Sequence, residues 1–235
     1  NKNFSWNTTL TIAHNRQKVL DTGSNDSIAA YSTPTNNSYM MYGYVNGYPL
    51  NALWGFKFAG VWHTQDQIDR NKETKAYVSR ASNTYKPGYA YYVDTNHDGT
   101  LNEDDLVYLG SADPIIYGGL QNTFHIYKFR VSVFFNYSLG GKIYNLSELW
   151  MSGSSYTNQY RYMLDAWHPV RNPESNIPAA YYNDELPSSR MVYDASYIRL
   201  KNISLGYTFD LRNKTKHLRD ITVSASAENI FLWKN

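Results

Sequence analysis

The residues best suited to do chemistry lie in one acidic stretch, Asp94–Asp105. It places side-chain oxygens at its first, third and fifth positions and glycine at its sixth, and it offers a backbone carbonyl at its seventh. This is the spacing of an EF-hand calcium loop. The twelfth position carries Asp instead of the usual Glu, which favours a looser site. The candidate metal ligands are Asp94, Asn96, Asp98, Thr100 and Asp105.

A second interpretation of this stretch stays open. Pro87 and Gly88 lead into the run Tyr89–Val93, so no helix is predicted before the loop and a true EF-hand is not expected. An Asp- and Asn-rich turn whose side chains bond their own backbone has the same composition. In both interpretations the loop is structural and no cofactor is required. If a cation is bound, the oxygen ligands favour Ca²⁺ over Zn²⁺.

Other catalytic chemistry finds no support in the sequence. The 6 histidines are scattered, and the absence of cysteine excludes disulfides and thiolate metal sites. No nucleophile elbow, phosphate loop or dinucleotide fingerprint occurs. Asp104 and Asp105 resemble paired glycosidase carboxylates, but neighbours in a solvated loop are usually structural. We therefore predict that the chain is not an enzyme, and its substrate-binding residues stay unknown.

The elements that flank the loop are predicted to be amphipathic strands. In the run after Asp220, Ile221, Val223, Ala225 and Ala227 alternate with polar residues, and aromatics close the run. A strand of about 9–11 residues with one apolar and one polar face is typical of a membrane barrel. Tyr197–Phe209 changes phase, which predicts a bulge near Lys201–Asn202. The predicted strands are 3–12, 38–45, 52–62, 115–126, 129–138, 197–209 and 221–233.

Composition agrees with a barrel and excludes several classes of protein. The net charge of +2 with no block of like charge gives no support for nucleic acid as a partner. Mean hydropathy is -0.57, and no apolar run reaches the 18 or more residues of a membrane helix. The 23 tyrosines suit barrel girdles and also sugar-binding surfaces. Trp54, Trp62, Trp150 and Trp167 can stack on sugars, but core or girdle positions are favoured.

The lengths of the connections predict the topology. Turns at 46–51, 127–128 and 210–220 are short, whereas 63–114 and 139–192 are long and polar. Short turns on one side and long loops on the other are typical of outer-membrane barrels. We predict an all-β fold, an antiparallel up-and-down transmembrane barrel of which 1–235 supplies about seven strands. The long connections would lie outside the cell.

Several segments, in order, resemble the C-terminal barrel region of SusC/RagA-type TonB-dependent transporters of the Bacteroidetes outer membrane. They are GYPLNALWGFKFAGVWHTQDQID (47–69), PGYAYYVDTNHDGTLNEDD (87–105), DPIIYGGLQNTF (113–124), FRVSVFFNYSLGGKIYN (129–145), WHPVRNP (167–173), SYIRLKNISLGYTF (196–209) and AENIFLW (227–233). The hairpin tip at Tyr127–Lys128 departs from the family in lacking glycine.

The resemblance implies an importer of glycan or peptide oligomers in the outer membrane. Its barrel contacts lipid, its plug and most of its strands lie outside this chain, TonB energises it, and a SusD-like surface lipoprotein captures the nutrient. Two other classes stay open. A soluble, calcium-stabilised carbohydrate-binding β-module would refold alone in buffer. A β-rich glycan hydrolase would need two carboxylates that converge on one cleft.

Overall fold

The structure, a computed structural model, describes residues 3–23, 27–32, 40–80, 85–152, 158–180, 186–212 and 217–234. The chain divides into two compact units. The first comprises Asn1–Arg16, Asp113–Lys142 and Asp194–Asn235, and the second comprises Gln17–Ala112 and Ile143–Tyr193. In chain order the strands and helices are β1 (Phe4–Ala13), β2 (Ser27–Ser32), β3 (Met40–Val45), β4 (Ala52–Gly55), β5 (Phe58–Val61), α1 (Gln65–Thr74), β6 (Tyr77–Val78), β7 (Ala90–Val93), β8 (Val107–Ser111), β9 (Ile116–Ile126), β10 (Phe129–Leu139), β11 (Lys142–Tyr144), α2 (Leu146–Met151), β12 (Val192–Asp194), β13 (Tyr197–Asp210) and β14 (Asp220–Lys234).

The first unit is built on a five-stranded antiparallel sheet in the order β1-β9-β10-β13-β14. Its strands are 10 to 15 residues long, which exceeds the usual length in soluble sheets. The register aligns like with like: Val131 lies opposite Leu205, and Leu205 lies opposite Ala225. Because side chains alternate between faces, this register gives the sheet one apolar and one polar face.

A bulge preserves these faces where the sequence changes phase. The register of β13 against both neighbours skips Lys201, so Leu200 pairs with Phe135 on one side and with Phe231 on the other. Opposite it, Asn229 adopts a left-handed φ of 52, and Lys201 Nζ donates a hydrogen bond to Asn229 Oδ1 at 3.2 Å. The bulge predicted near Lys201–Asn202 is therefore confirmed.

The predicted hairpin of β9 and β10 is also confirmed. Ile126 pairs with Phe129, and Tyr127 and Lys128 form the turn between them. Tyr127 takes a positive φ of 55 and is 76% exposed. The turn thus adopts a conformation that normally favours glycine or asparagine, without either residue.

The second unit contains smaller sheets and two short helices. β2, β3, β4 and β8 form a four-stranded sheet, and β5, β7 and β6 form a three-stranded sheet. Its core is a pair of hydrophobic clusters, one around Phe56 and Tyr92 and the other around Met41 and Leu53. Helix α1 is capped at its start by Thr64, whose hydroxyl accepts a hydrogen bond from the Gln67 N–H, and at its end by Lys75 in a left-handed conformation.

Two predicted barrel strands lie elsewhere in the structure. The segments 38–45 and 52–62 contribute β3, β4 and β5 to the small sheets of the second unit, and residues 38 and 39 lie outside the described residues. The long connections 63–114 and 139–192 also carry strands, and they include α1 and α2. Alternation of aromatic residues is found both in long barrel strands and in the short core strands of the second unit, so this pattern alone does not distinguish them.

None of the helices among the described residues combines the length and the apolar character of a membrane span.

Candidate functional site

A polar groove runs along one face of the five-stranded sheet. It encloses about 820 Å³ near the Tyr127–Lys128 and Asp210–Asp220 turns. Strand alternation places Ser204, Ser224 and Ser226 on this face, because their neighbours in sequence belong to the apolar face. The groove thus presents hydroxyls along its length, which suit contact with water and polar ligands.

The mouth of this groove is basic. Lys128, Arg130, Arg212 and Arg219 line it together with His125, against two carboxylates, Asp210 and Asp220. Arg212 and Asp210 form a two-point ion pair, with Nη2 2.6 Å from Oδ2. Arg212 therefore neutralises Asp210. Lys128, Arg130 and Arg219 then face a single carboxylate, Asp220, so the mouth carries a net positive charge.

Further along the same face the polar side chains bond one another across strands. Gln121 Nε2 donates to Ser132 Oγ at 2.6 Å, and Asn136 Nδ2 donates to the Tyr197 hydroxyl at 3.3 Å. Cross-strand bonds of this kind hold a polar face rigid. Phe134 is the exception: its ring covers Gly119, where an added Cβ would meet it at 2.7 Å.

The opposite face of the sheet is apolar and carries aromatics near both ends. At one end Trp6 stacks on Phe124, with ring centroids 6.0 Å apart, and Phe129 packs against Tyr207 at 4.7 Å. At the other end Phe231 contacts Trp233 at 4.5 Å. Aliphatic residues lie between these groups, and many remain open, as Val223 does at 60% exposure. Two aromatic bands around an aliphatic band are typical of a barrel wall that faces lipid.

The acidic loop lies in the second unit, directly after β7. Asp94 is fully buried, and its Oδ2 accepts a hydrogen bond from the Gly99 N–H at 2.8 Å. Gly99 has a φ of +82, a left-handed conformation that glycine adopts without strain, so glycine suits this turn. Leu101 packs into the Phe56–Tyr92 cluster. The loop is therefore fastened to the core at two points.

The exposed side of the loop is held by Asp98. Its carboxylate accepts hydrogen bonds from the Thr100 N–H at 2.6 Å and from the Asn96 and Asn102 side-chain amides. These donors, the Thr100 N–H foremost, lower the pKa of Asp98 below its ordinary value of 3.8. Asp98 is therefore an anion at neutral pH.

Asp105 is placed differently from the other predicted ligands. It is fully buried, and its Oδ1 and Oδ2 accept hydrogen bonds from the Thr95 N–H at 2.7 Å and the Asn102 N–H at 3.0 Å. With Asn102 it forms a capping box on the 3₁₀ turn Glu103–Asp105. Asp104 is exposed, so this neighbouring pair does not have the arrangement of glycosidase carboxylates.

The described residues contain no group of three or more histidine, cysteine or acidic side chains placed to hold a metal ion. A cation in this loop would therefore need a mixed set of ligands, with amide and carbonyl oxygens beside the carboxylates. Asn96 and Thr100 are the members of the predicted set that supply such oxygens.

A buried polar cluster around Glu148 was not predicted from the sequence. Glu148 on α2 accepts hydrogen bonds from the Tyr162 hydroxyl at 2.7 Å and the Tyr193 hydroxyl at 2.5 Å. Arg190 lies 3.7 Å from the same carboxylate and over the Tyr162 ring. Burial, followed by the bond to the Glu148 anion, raises the pKa of Tyr193 to about 12. The four residues come from three separate segments, so no local pattern in the sequence indicates the cluster.

Of the four tryptophans that could stack on sugars, Trp54 and Trp62 occupy packing positions rather than open platforms. Trp54 and Trp62 are buried, and Trp62 Nε1 donates to Ser79 Oγ at 2.9 Å. Trp54 packs edge-on against Tyr48 with centroids 4.8 Å apart. Trp167 is half-buried, whereas the side chain of Trp150 lies outside the described residues. The favoured prediction of core tryptophans is confirmed for Trp54 and Trp62.

Comparison with known proteins finds relatives that match nearly the whole chain. No family model matches the chain. TonB-dependent receptor P26 of Formosa agariphila is 30% identical over 99% of this chain and 23% of its own length. TonB-dependent receptor P3 of the same organism is 28% identical over the same shares. The chain thus spans about a quarter of the length of the curated relatives it matches.

Solved structures are also similar to this chain in fold. A structure of the RagAB peptide transporter is similar with a TM-score of 0.74 and 18% identity, over 99% of this chain and 24% of that one. The RagAB peptide importer in its open-open state gives 0.73 and 16% identity, over 100% of this chain and 24% of that one. These likenesses cover both compact units of the chain.

Proposed function

Because this chain belongs to the SusC/RagA-like TonB-dependent receptors, we propose that it forms part of the wall of an outer-membrane importer of nutrient oligomers. The observation that carries the proposal is the two-faced sheet of the first unit. Its apolar face would meet lipid, and its polar groove would line the lumen through which a polar cargo passes.

The continuity of these faces favours the importer over a soluble β-module. A soluble sandwich buries the apolar face of a sheet against a second sheet. Among the described residues, Phe129, Val223 and Trp233 on this face each keep more than 40% of their surface exposed. An apolar surface of this size suits lipid rather than water.

The partners and the cargo form part of the same proposal. TonB energises the receptor through segments outside this chain, and a SusD-like lipoprotein at the surface delivers the cargo. The cargo is a peptide or glycan oligomer. The RagAB structures are titled as a peptide transporter and importer, which supports testing peptides first. The basic mouth of the groove favours cargo that carries carboxylates over neutral cargo.

Uptake by a strain that lacks the whole receptor tests this function. We expect growth on one class of oligomer, peptide or glycan, to be lost and then restored by the intact receptor. A receptor whose TonB-contacting segment is deleted serves as the matched control and should not restore growth. Unchanged growth and uptake for both classes in the deletion strain would contradict the proposal.

A further inference from the structure

We propose that the acidic loop Asp94–Asp105 binds one Ca²⁺, with the buried Asp94 carboxylate as its central ligand. The inference goes beyond import, which makes no demand for a metal ion, and it holds or fails independently of the cargo. It concerns the second unit alone, where the loop joins β7 to β8.

The Asp94 carboxylate is the observation that points to a ligand. The side chain is 0% exposed, and one oxygen accepts the Gly99 N–H while the other, Oδ1, is buried without a hydrogen-bond partner among the described residues. A buried carboxylate oxygen that lacks a donor is strongly unfavourable, because it has lost its water and gained nothing in return. A bound cation supplies the missing partner.

In the part of the chain that the structure describes, no ion pair supplies this cation. The residues 94–105 carry five carboxylates and no lysine or arginine. Among the ion pairs of the described residues, none includes Asp94, Asp98 or Asp105. The buried Asp94 carboxylate therefore has no counter-ion among these pairs, and a divalent ion would supply one.

The bond from Gly99 fixes the direction in which Asp94 points. It holds the carboxylate on the inside of the turn that Asn96 and Asp98 close. The first-, third- and fifth-position oxygens and the Thr100 carbonyl then belong to one turn, as in a calcium loop. Water completes the coordination, since the exposed side of this turn is open to solvent.

The hydrogen bonds of Asp105 limit the affinity. Both of its oxygens already accept backbone N–H groups, so it closes the loop as a cap and does not bind the ion in two-point fashion. Without that ligand the site should be weak, with a dissociation constant on the order of 10⁻⁴ to 10⁻³ M, as in extracellular calcium modules. Mg²⁺ should bind less well because it demands a rigid octahedral set at shorter distances.

Hydrogen exchange on the intact receptor in detergent tests the site, with Ca²⁺ as the only ligand added. Peptides that cover 94–106 should exchange at least ten times more slowly in millimolar Ca²⁺ than in chelator, whereas peptides from β10 and β14 should not change. The Asp94→Asn variant keeps an acceptor for the Gly99 N–H but removes the charge. It should lose the calcium effect and bind one equivalent of Ca²⁺ fewer.

Asp104→Asn is the matched control, because it removes an exposed carboxylate of the same stretch and should retain the full calcium effect. Asp98→Asn lies on the exposed side and should fold even if Asp94→Asn does not, with Ca²⁺ affinity reduced about tenfold. The proposal is overturned if chelation leaves the exchange of 94–106 unchanged in the native receptor. It is equally overturned if Asp94→Asn binds as many equivalents as the native protein, or if Asp98→Asn keeps full affinity.

Discussion

Trp6 Nε1 donates a hydrogen bond to Asn122 Oδ1 at 3.0 Å across the pair of strands β1 and β9. Both residues lie on the apolar face, where Asn122 lies opposite Thr8 on β1 and Val133 on β10. An amide that meets lipid needs an internal partner, because no water is available there. The indole therefore satisfies a group that would otherwise weaken the wall.

Trp6→Phe should accordingly destabilise the receptor by about 1–3 kcal/mol, since it leaves the Asn122 amide without its partner. In the background Asn122→Leu the same change should cost clearly less, because no amide then needs a donor. Unfolding from lipid vesicles in urea measures all four proteins. Equal costs in the two backgrounds would show that the hydrogen bond does not matter.

A charge on the apolar face should be far more harmful than one on the polar face. Ala225 and Ser226 are neighbours on β14 that point to opposite sides. Ala225→Arg should cost about 2–4 kcal/mol if the residue lies near the bilayer midplane. Ser226→Arg should be tolerated because it points into the groove. The same vesicle assay checks both, and equal losses would argue against a lipid-facing sheet.

Tyr127→Asn should stabilise the hairpin. A residue with a Cβ other than Asn or Asp pays about 1–2 kcal/mol in the left-handed region that Tyr127 occupies. Asn tolerates this region, and the 76% exposed ring loses little packing when it is removed. We expect a gain of up to about 1 kcal/mol. Lys128→Asn is the control, since its φ is negative, and an equal gain there would refute the explanation.

Tyr193→Phe should weaken the second unit. It removes one of the two hydroxyls that donate to the buried Glu148 carboxylate, at a cost of about 1–2 kcal/mol. Tyr160→Phe keeps a ring stacked on Tyr162 and should be nearly neutral. Protease resistance of 143–193 in the intact receptor measures the difference. A neutral Tyr193→Phe would mean that Tyr162 and Arg190 suffice for Glu148.

Acid should open the acidic loop Asp94–Asp105. The pKa of Asp98 is lowered in the folded protein, so the loop gains stability above the ordinary value of 3.8 and loses it as the pH falls through the lowered value. We expect peptides covering 94–106 to lose protease protection below about pH 4, before β10 and β14 respond. Protection that persists unchanged to pH 2 would contradict this assignment.

The long strands could be predicted from the sequence because their signal is local. On β10, apolar residues at odd positions alternate with Arg130, Ser132 and Asn136, with Phe134 as the exception, and the change of phase at Lys201 requires a bulge. The strand at 52–62 could not be assigned in this way. Trp54 and Phe56 alternate just as well, but they are buried in a small folded unit whose partners, such as Leu186, are distant in sequence.

The candidate site likewise has parts that the sequence predicts and parts that it does not. The loop from Asp94 to Thr100 bonds within itself, so its spacing predicts its geometry. The role of Asp105 depends on which backbone N–H groups reach it, and spacing does not reveal that. The Glu148 cluster and the basic mouth of the groove are assembled from distant segments, and no motif indicates them.

The bulge at Lys201 also bears on how the wall avoids assembling incorrectly. A strand with plain alternation can slide by two residues and still match its neighbours face to face. On β13 such a slide would separate Lys201 from Asn229 and place the extra residue opposite a regular stretch of β14. Slides of one residue are already excluded by the polar and apolar faces. Together the bulge and the two distinct faces leave one register for β13 against β14, so the strands have no equivalent alternative pairing.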